Sequence, residues 1–294
     1  MQIRPRRSVL YLPGSNARAL EKARSLPVDA LILDLEDAVA PEAKEAARAQ
    51  LAEALRAGGF GKREVVVRVN GLETPWGYDD VAALAALGAD AILFPKIQAA
   101  DDVRAAVAAL DAAGADKMPL WIMAETPRAI MGMDAIAGAS ARLACLVAGT
   151  SDLSRDLRAR PAPGRIGVIS ALSIIVIAAR AHGLDALDGV HLDMADEAGF
   201  QAACEQGRDL GFDGKTLIHP KQIEAANTAF APTPAEIEQS RAIVAAWAEA
   251  RAAGKGICVL NGKLIEKLHV EDAERLLALD AAIQDLTAAH QAAA

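Results

Sequence analysis

The stretch LWIMAETPRAIMGMDAIAGASARLACLVAGTSDLS, residues 120–154, holds two short apolar runs, at 120–124 and 143–148. Each is closed by a polar cluster carrying one carboxylate, Glu125 or Asp152. An apolar run of this length reads as a fully buried strand of the kind parallel sheets contain. Pro127 opens a helix between the two runs. Strand, helix and strand again form the repeating unit of a parallel α/β fold. In such folds functional groups gather where the strands end at their carboxyl side, so Glu125 and Asp152 are expected to share one site. Two hard oxygen ligands from neighbouring strands suit magnesium, which takes one or two protein carboxylates and leaves its other positions to water and substrate. The competing reading makes Glu125 and Asp152 acids that cap the helices starting beside them.

The same unit recurs on both sides. SVLYLPGSNARALEKA is a strand, a Pro13-Gly14 turn and a helix capped by Ser15 or Asn16. Its Arg18, Lys22 and Arg24 form either an anion site or a solvated face. ALILDLEDAV ends in Asp34, Glu36 and Asp37. Burying unpaired carboxylates costs several kcal/mol, so these acids call for cations nearby. EVVVRVNG supplies Arg68, with Asn70 two residues on and expected on the same side. AILFPKI, after a helix expected over 78–87, supplies Lys96. Arg68 and Lys96 are each either an ion-pair partner of the acids or a substrate ligand. RDLRARPAPGR reads as an exposed loop or flap, with a helix over 167–181 after it. LDALDGVHLD and DGKTLIHP supply the last two strands, with a helix over 197–210 between them, and His219 reads as a structural hydrogen-bonder. Eight strands alternating with helices predict an α/β fold, a closed (β/α)8 TIM barrel.

Residues 231–294 exceed what a barrel needs. PTPAEIEQSRAIVAAWAEARAAGKG reads as a capped amphipathic helix, and NGKLIEKLHVEDAERLLALDAAIQDL as a turn or short strand and a second helix. The expected organisation is a catalytic barrel over 1–230 and a carboxyl-terminal helical extension over 231–294. The extension packs on a neighbouring subunit or over a barrel mouth, which brings Glu266 towards an active site.

The 294 residues are 53% hydrophobic, enough for one large core. A net charge of −8 and only 3% aromatic residues argue against a nucleic-acid partner. Three cysteines without metal-type spacing fit a reducing compartment, and Cys145 reads as core. The amino terminus lacks a signal-peptide pattern, and the apolar stretch 166–179 is too short to cross a membrane, so a cytoplasmic protein with no membrane partner is expected. No GxGxxG after a strand, P-loop, GxSxG elbow or paired-histidine zinc motif occurs.

The segments RSVLYLPGSNARALEKA, LILDLEDAV, RVNG, FPKI, AETP, GTSDL, GFDGKTLIHPKQI and NGKLIEKLHVEDA run nearly the whole length of the chain. In this order and spacing the chain resembles the citrate lyase beta-subunit-like family within the HpcH/HpaI aldolase superfamily. That resemblance implies a magnesium-dependent barrel enzyme acting on citryl-, malyl- or citramalyl-CoA. Its reaction would be retro-Claisen cleavage of a 3-hydroxyacyl-CoA to acetyl-CoA, or another acyl-CoA, and a 2-oxo acid. The alternatives are hydrolysis of malyl-CoA on the same scaffold and a non-catalytic or carrier-dependent subunit. By the resemblance, Glu125 and Asp152 are the metal ligands and Arg68 contacts the oxo-acid portion. Glu36 and Asp37 match strand-two acids that orient Arg68 and Lys96, and the turn of Gly149, Thr150, Ser151 and Asp152 offers amides to a carboxylate. The resemblance also implies a homotrimer whose carboxyl-terminal segments cover adjoining sites. Many of the family's lyases carry an aspartate there, in a pattern like GKMID, as a candidate acid–base; this chain has Glu266, in GKLIEKLH.

Overall fold

Most of the eight strands are apolar runs, as burial on both faces demands, while the last, GKTL, carries a buried lysine and threonine. The computed structural model describes residues 3–292. In chain order the elements begin with β1 (Ser8–Pro13), α1 (Ala17–Ala23), β2 (Ala30–Asp34), α2 (Lys44–Ala57), β3 (Glu64–Arg68), α3 (Gly77–Leu84), β4 (Ala91–Phe94) and α4 (Ala100–Ala112). They continue with β5 (Leu120–Ala124), α5 (Pro127–Met131), α6 (Met133–Ala137), β6 (Leu143–Ala148), α7 (Thr150–Asp156) and α8 (Ile169–Ala181). Then come β7 (Asp185–Asp188), α9 (Glu197–Leu210), β8 (Gly214–Leu217) and α10 (Ile223–Ala229). The strands pair in parallel and in sequential order, and β8 closes onto β1, so the (β/α)8 barrel expected from the pattern is present.

Alternation along each strand divides the core. Val9, Ile32, Val66, Leu93, Trp121, Met123, Cys145, Val147 and Leu187 fill the barrel. Their sequence neighbours, among them Leu10, Leu31, Leu33, Val67, Ile92, Ile122 and Leu146, pack against the helices. Burying each such side chain contributes about 1.5–3 kcal/mol. Cys145 is core, as expected. The expected helix over 78–87 is observed as Gly77–Leu84, and the one over 167–181 starts at Ile169. Asn70 corrects the same-side reading: it lies past the end of β3, where alternation no longer holds, and its side-chain amide donates to Asp80 of α3.

Residues 231–292, together with the described residues 3–5, form a second compact unit, distinct from Arg6–Phe230. It contains α11 (Pro234–Ala252), the antiparallel pair β9 (Cys258–Leu260) and β10 (Lys263–Ile265), and α12 (Lys267–Ala292). A capping box starts α11: Thr233 Oγ1 accepts from Glu236 N–H while the Glu236 carboxylate accepts from Thr233 N–H. The hairpin turns on Asn261 and Gly262, both at positive φ, the turn residues a tight hairpin requires. Among the described residues no helix is long and apolar enough to cross a membrane.

Candidate active site

The carboxyl pole of the barrel is built by strand register. Asp34 ends β2 and Arg68 ends β3, and the two are directly paired across the ladder. Arg68 Nε and Nη2 therefore donate to Asp34 Oδ1 and Oδ2 at 2.6 and 2.7 Å, a bidentate fork. Arg68 Nη1 stands 2.7 Å from Glu36 Oε2, and the guanidinium lies over the Tyr11 ring, with Cζ 4.7 Å from its centroid. Asp37 is peripheral, 3.9 Å from Nη1 with a side chain 68% exposed. The residue that chiefly orients Arg68 is thus Asp34, an acid that the sequence pattern groups with Glu36 and Asp37 without giving it that role.

Lys96 comes directly after Pro95 with φ of 56°, a left-handed conformation uncommon for a residue with a side chain. Its N–H donates to Glu125 Oε1 at 2.7 Å. Its ammonium contacts Asp152 and lies 3.5 Å from Glu125 Oε1 and 3.7 Å from Glu36 Oε1. Neither acid is a helix cap. Thr126 caps α5, its hydroxyl accepting from Ala129 N–H, and α7 starts from Gly149 with Asp152 in its first turn. The end of β6 comes against Glu125 because residue 149 is glycine: a Cβ there would lie 2.3 Å from Glu125 Cβ. Thr150 and Ser151 begin α7 beside it, where the first helical amides have no intrahelical acceptor.

Four carboxylates, from Asp34, Glu36, Glu125 and Asp152, thus meet the cations of Arg68 and Lys96, with the exposed Arg155 reaching Asp152 from outside at 2.8 Å. Burial raises the Glu36 carboxyl to about 7; Arg68 opposes the rise, and Asp37 and Glu125 add to it. Burial also raises Glu125, against the pull of Lys96. Burial works to lower the Lys96 ammonium, but the hydrogen bond to Asp152 and the charges of Glu125 and Glu36 lift it above its ordinary value. Glu36 Oε2, though ion-paired, is buried without a hydrogen bond. Four carboxylates against three cations make a pole that fits a hard divalent cation. Among the described residues no three His, Cys, Asp or Glu side chains form a metal-ligand group; magnesium takes one or two protein carboxylates and completes its shell with water and substrate.

The remaining sequence candidates fall elsewhere. Glu266 belongs to the second unit, where its N–H donates to His269 Nδ1 just ahead of α12. Arg24 of the α1 basic group donates to Gly58 O and pairs with Glu21. His219 Nδ1 accepts from Lys221 N–H, a structural bond as expected. Sequence reasoning missed a buried network on the outer face of the barrel wall. Lys215 Nζ donates to Asp188 Oδ2 and Gly189 O at 2.7 and 2.6 Å, and Arg165, from the loop read as a flap, donates to both Asp188 oxygens. Although burial acts to raise it, Lys215 and Arg165 hold the Asp188 carboxyl below the ordinary range. A lysine inside the strand GKTL was its signal in the sequence.

Residues 7–220 match the family model described as HpcH/HpaI aldolase/citrate lyase. The chain is 49% identical over 282 residues to a (3S)-malyl-CoA thioesterase of Cereibacter sphaeroides, covering 96% of this chain and 97% of that protein. It is 36% identical over 280 residues to the citrate lyase subunit beta of Escherichia coli, covering 93% of each. Among solved structures, the protein CitE of Mycobacterium tuberculosis in complex with magnesium, acetoacetate and coenzyme A superposes with a TM-score of 0.74. The identity is 27%, over 96% of this chain and 100% of that one.

Proposed function

The chain belongs to the HpcH/HpaI aldolase/citrate lyase family, and from that premise we propose that it is a magnesium-dependent enzyme hydrolysing a (3S)-malyl-CoA-type thioester to the hydroxy diacid and coenzyme A. The observation that carries the reading is the carboxyl pole itself, where four carboxylates, three of them buried, face Arg68, Lys96 and the exposed Arg155. Identity of 49% with a thioesterase across nearly the whole chain favours hydrolysis over carbon–carbon cleavage.

Glu125 and Asp152 would hold the magnesium, which when bound supplies Lewis-acid charge to the oxygens of the acyl portion. Arg68, held by Asp34 and paired with Glu36, has guanidinium N–H donors left over that would meet the substrate carboxylate. The first amides of α7, at Thr150 and Ser151, offer positive partial charge to the same anionic group. Glu36, with a proton affinity near neutrality, takes a proton from the attacking water as oxygen bonds to the thioester carbon. It returns that proton to sulfur as the carbon–sulfur bond breaks. Lys96 pairs its ammonium with Asp152 and lies within ion-pair distance of Glu125 and Glu36, which ties the three acids to one cation.

A second reading is retro-Claisen cleavage to acetyl-CoA and glyoxylate, favoured by the 36% identity to citrate lyase subunit beta. One assay separates the two. Purified protein with malyl-CoA and magnesium is expected to release free thiol and malate, and a chelator to stop it. Acetyl-CoA and glyoxylate as products would favour the lyase. No turnover of malyl-, citramalyl- or citryl-CoA would leave the carrier-dependent subunit.

The proposal extends to assembly: a homotrimer in which one chain's carboxyl-terminal unit, through Glu266, completes another chain's site. Sedimentation is expected to give a trimer. Mixing a chain truncated before Gly254 with an Arg68→Ala chain should restore part of the activity each lacks, and mixtures that stay inactive would overturn the shared site.

A further inference from the structure

One large side chain inside the barrel keeps part of its surface open. Val9, Ile32, Val66, Leu93, Trp121, Met123, Cys145, Val147 and Leu187 are each at most 4% exposed, whereas Tyr11, on the same inner face of β1 and one step closer to the carboxyl pole, is only partly buried. A side chain pointing into a closed barrel meets solvent through a mouth. The carboxyl pole is the nearer one, because the opposite pole is filled by Arg6 over Trp121.

Tyr11 is engaged there in an unequal way. Its ring supports one face of the Arg68 guanidinium, whose in-plane donors reach Asp34 and Glu36. Its hydroxyl donates to Met123 Sδ at 3.4 Å, and a thioether is a weak acceptor. A phenol at this position is an underused donor. Burial, with the charges of Asp34, Glu125 and Glu36 and against that of Arg68, raises its ionisation above the ordinary phenol range, so the proton stays available. Met123 also adjoins the carboxylates: a Cβ built on Gly149 would lie 3.1 Å from Met123 Cε and 2.3 Å from Glu125 Cβ. The hydroxyl, the thioether and Glu125 therefore belong to one floor.

We propose that Tyr11 contacts the substrate: from that floor its hydroxyl donates to a carboxylate oxygen of the small acid gripped by Arg68, exchanging Met123 Sδ for an anionic acceptor. The ligand class is a short 2-hydroxy or 2-oxo acid, free or as the acyl part of the thioester. This rests on the functional reading above and adds a residue to it. An aliphatic or neutral acyl group would gain nothing from Tyr11.

The test is Tyr11→Phe, read first by calorimetric titration of malate and of glyoxylate into the magnesium-loaded protein, which needs no turnover. A hydrogen bond to a charged acceptor corresponds to about ten- to a hundredfold in affinity. The variant is expected to bind both acids at least about tenfold more weakly, with coenzyme A binding and melting temperature unchanged. Phenylalanine keeps the ring beneath Arg68, so a pure packing role for Tyr11 would leave acid binding as in the wild type, and that result overturns the proposal. Wild-type protein that binds neither acid would instead remove the functional reading on which the proposal stands.

Discussion

The two poles of the barrel use the same parts. At the amino pole the Arg6 guanidinium is gripped by Glu64 through Nε and Nη2, both at 2.7 Å, contacts Asp185, and lies over Trp121 at 4.7 Å. At the carboxyl pole Arg68 is gripped by Asp34, meets Glu36, and lies over Tyr11, also at 4.7 Å. Each is an arginine fork on a carboxylate, backed by an aromatic face. The difference lies in what surrounds them. The amino-pole aromatic is fully buried, so that arginine closes the barrel. The carboxyl pole adds Lys96, Glu125 and Asp152, and an aromatic left partly open. An arginine–carboxylate pair in a barrel is therefore no sign of function by itself; surplus charge and access around it are.

If that contrast is right, the largest effects come from removing the surplus. Glu125→Gln or Asp152→Asn should lower magnesium-dependent turnover by about a thousandfold or more, since a lost Lewis acid is worth several kcal/mol. Circular dichroism of both variants should match the wild type. Full activity in excess chelator would sink the metal assignment.

Next comes a matched pair that sets one pole against the other. Arg6→Ala takes from the buried Glu64 and the partly exposed Asp185 the guanidinium they share, and denaturant titration should show a loss of about 3–5 kcal/mol. The activity per folded molecule should persist. Arg68→Lys keeps the charge but loses the fork, and should cost about 1.5–3 kcal/mol in kcat/KM, with the loss concentrated on the small-acid portion. Equal losses of stability and activity at both poles would dissolve the distinction.

The smallest expected effect is pH-linked. Burial lifts Glu36 from 4.5 to about 7 in the folded protein, so the folded state binds its proton more tightly than the unfolded chain does. The resulting stability is fully present below about pH 4.5 and is lost as pH rises through 7. Glu36→Gln escapes that loss. In metal-free buffer the variant should gain on the wild type between about pH 4.5 and 8, by about 1–3 kcal/mol. A constant difference across that range would show that Glu36 does not titrate near neutrality.

The eight strands, the charged residues that close several of them and the glycine and proline punctuation were legible in the sequence, because a buried strand and its end are local patterns that neighbouring residues set. So was the nomination of Glu36, Arg68, Lys96, Glu125 and Asp152, since each stands at or just past a strand end. Pairing was another matter. That Arg68 meets Asp34 comes from the β2–β3 register, and the meeting of Arg6 with Glu64 joins residues 58 apart in the chain. Tyr11 faces the mouth, and Asn70 leaves it, according to where alternation is fixed and where its strand stops. Lys96 reaches three carboxylates from three segments only once the sheet has closed on itself. Local sequence sets which residues sit at strand ends; register and closure are collective, decided by packing the whole barrel, and they choose which of those residues touch.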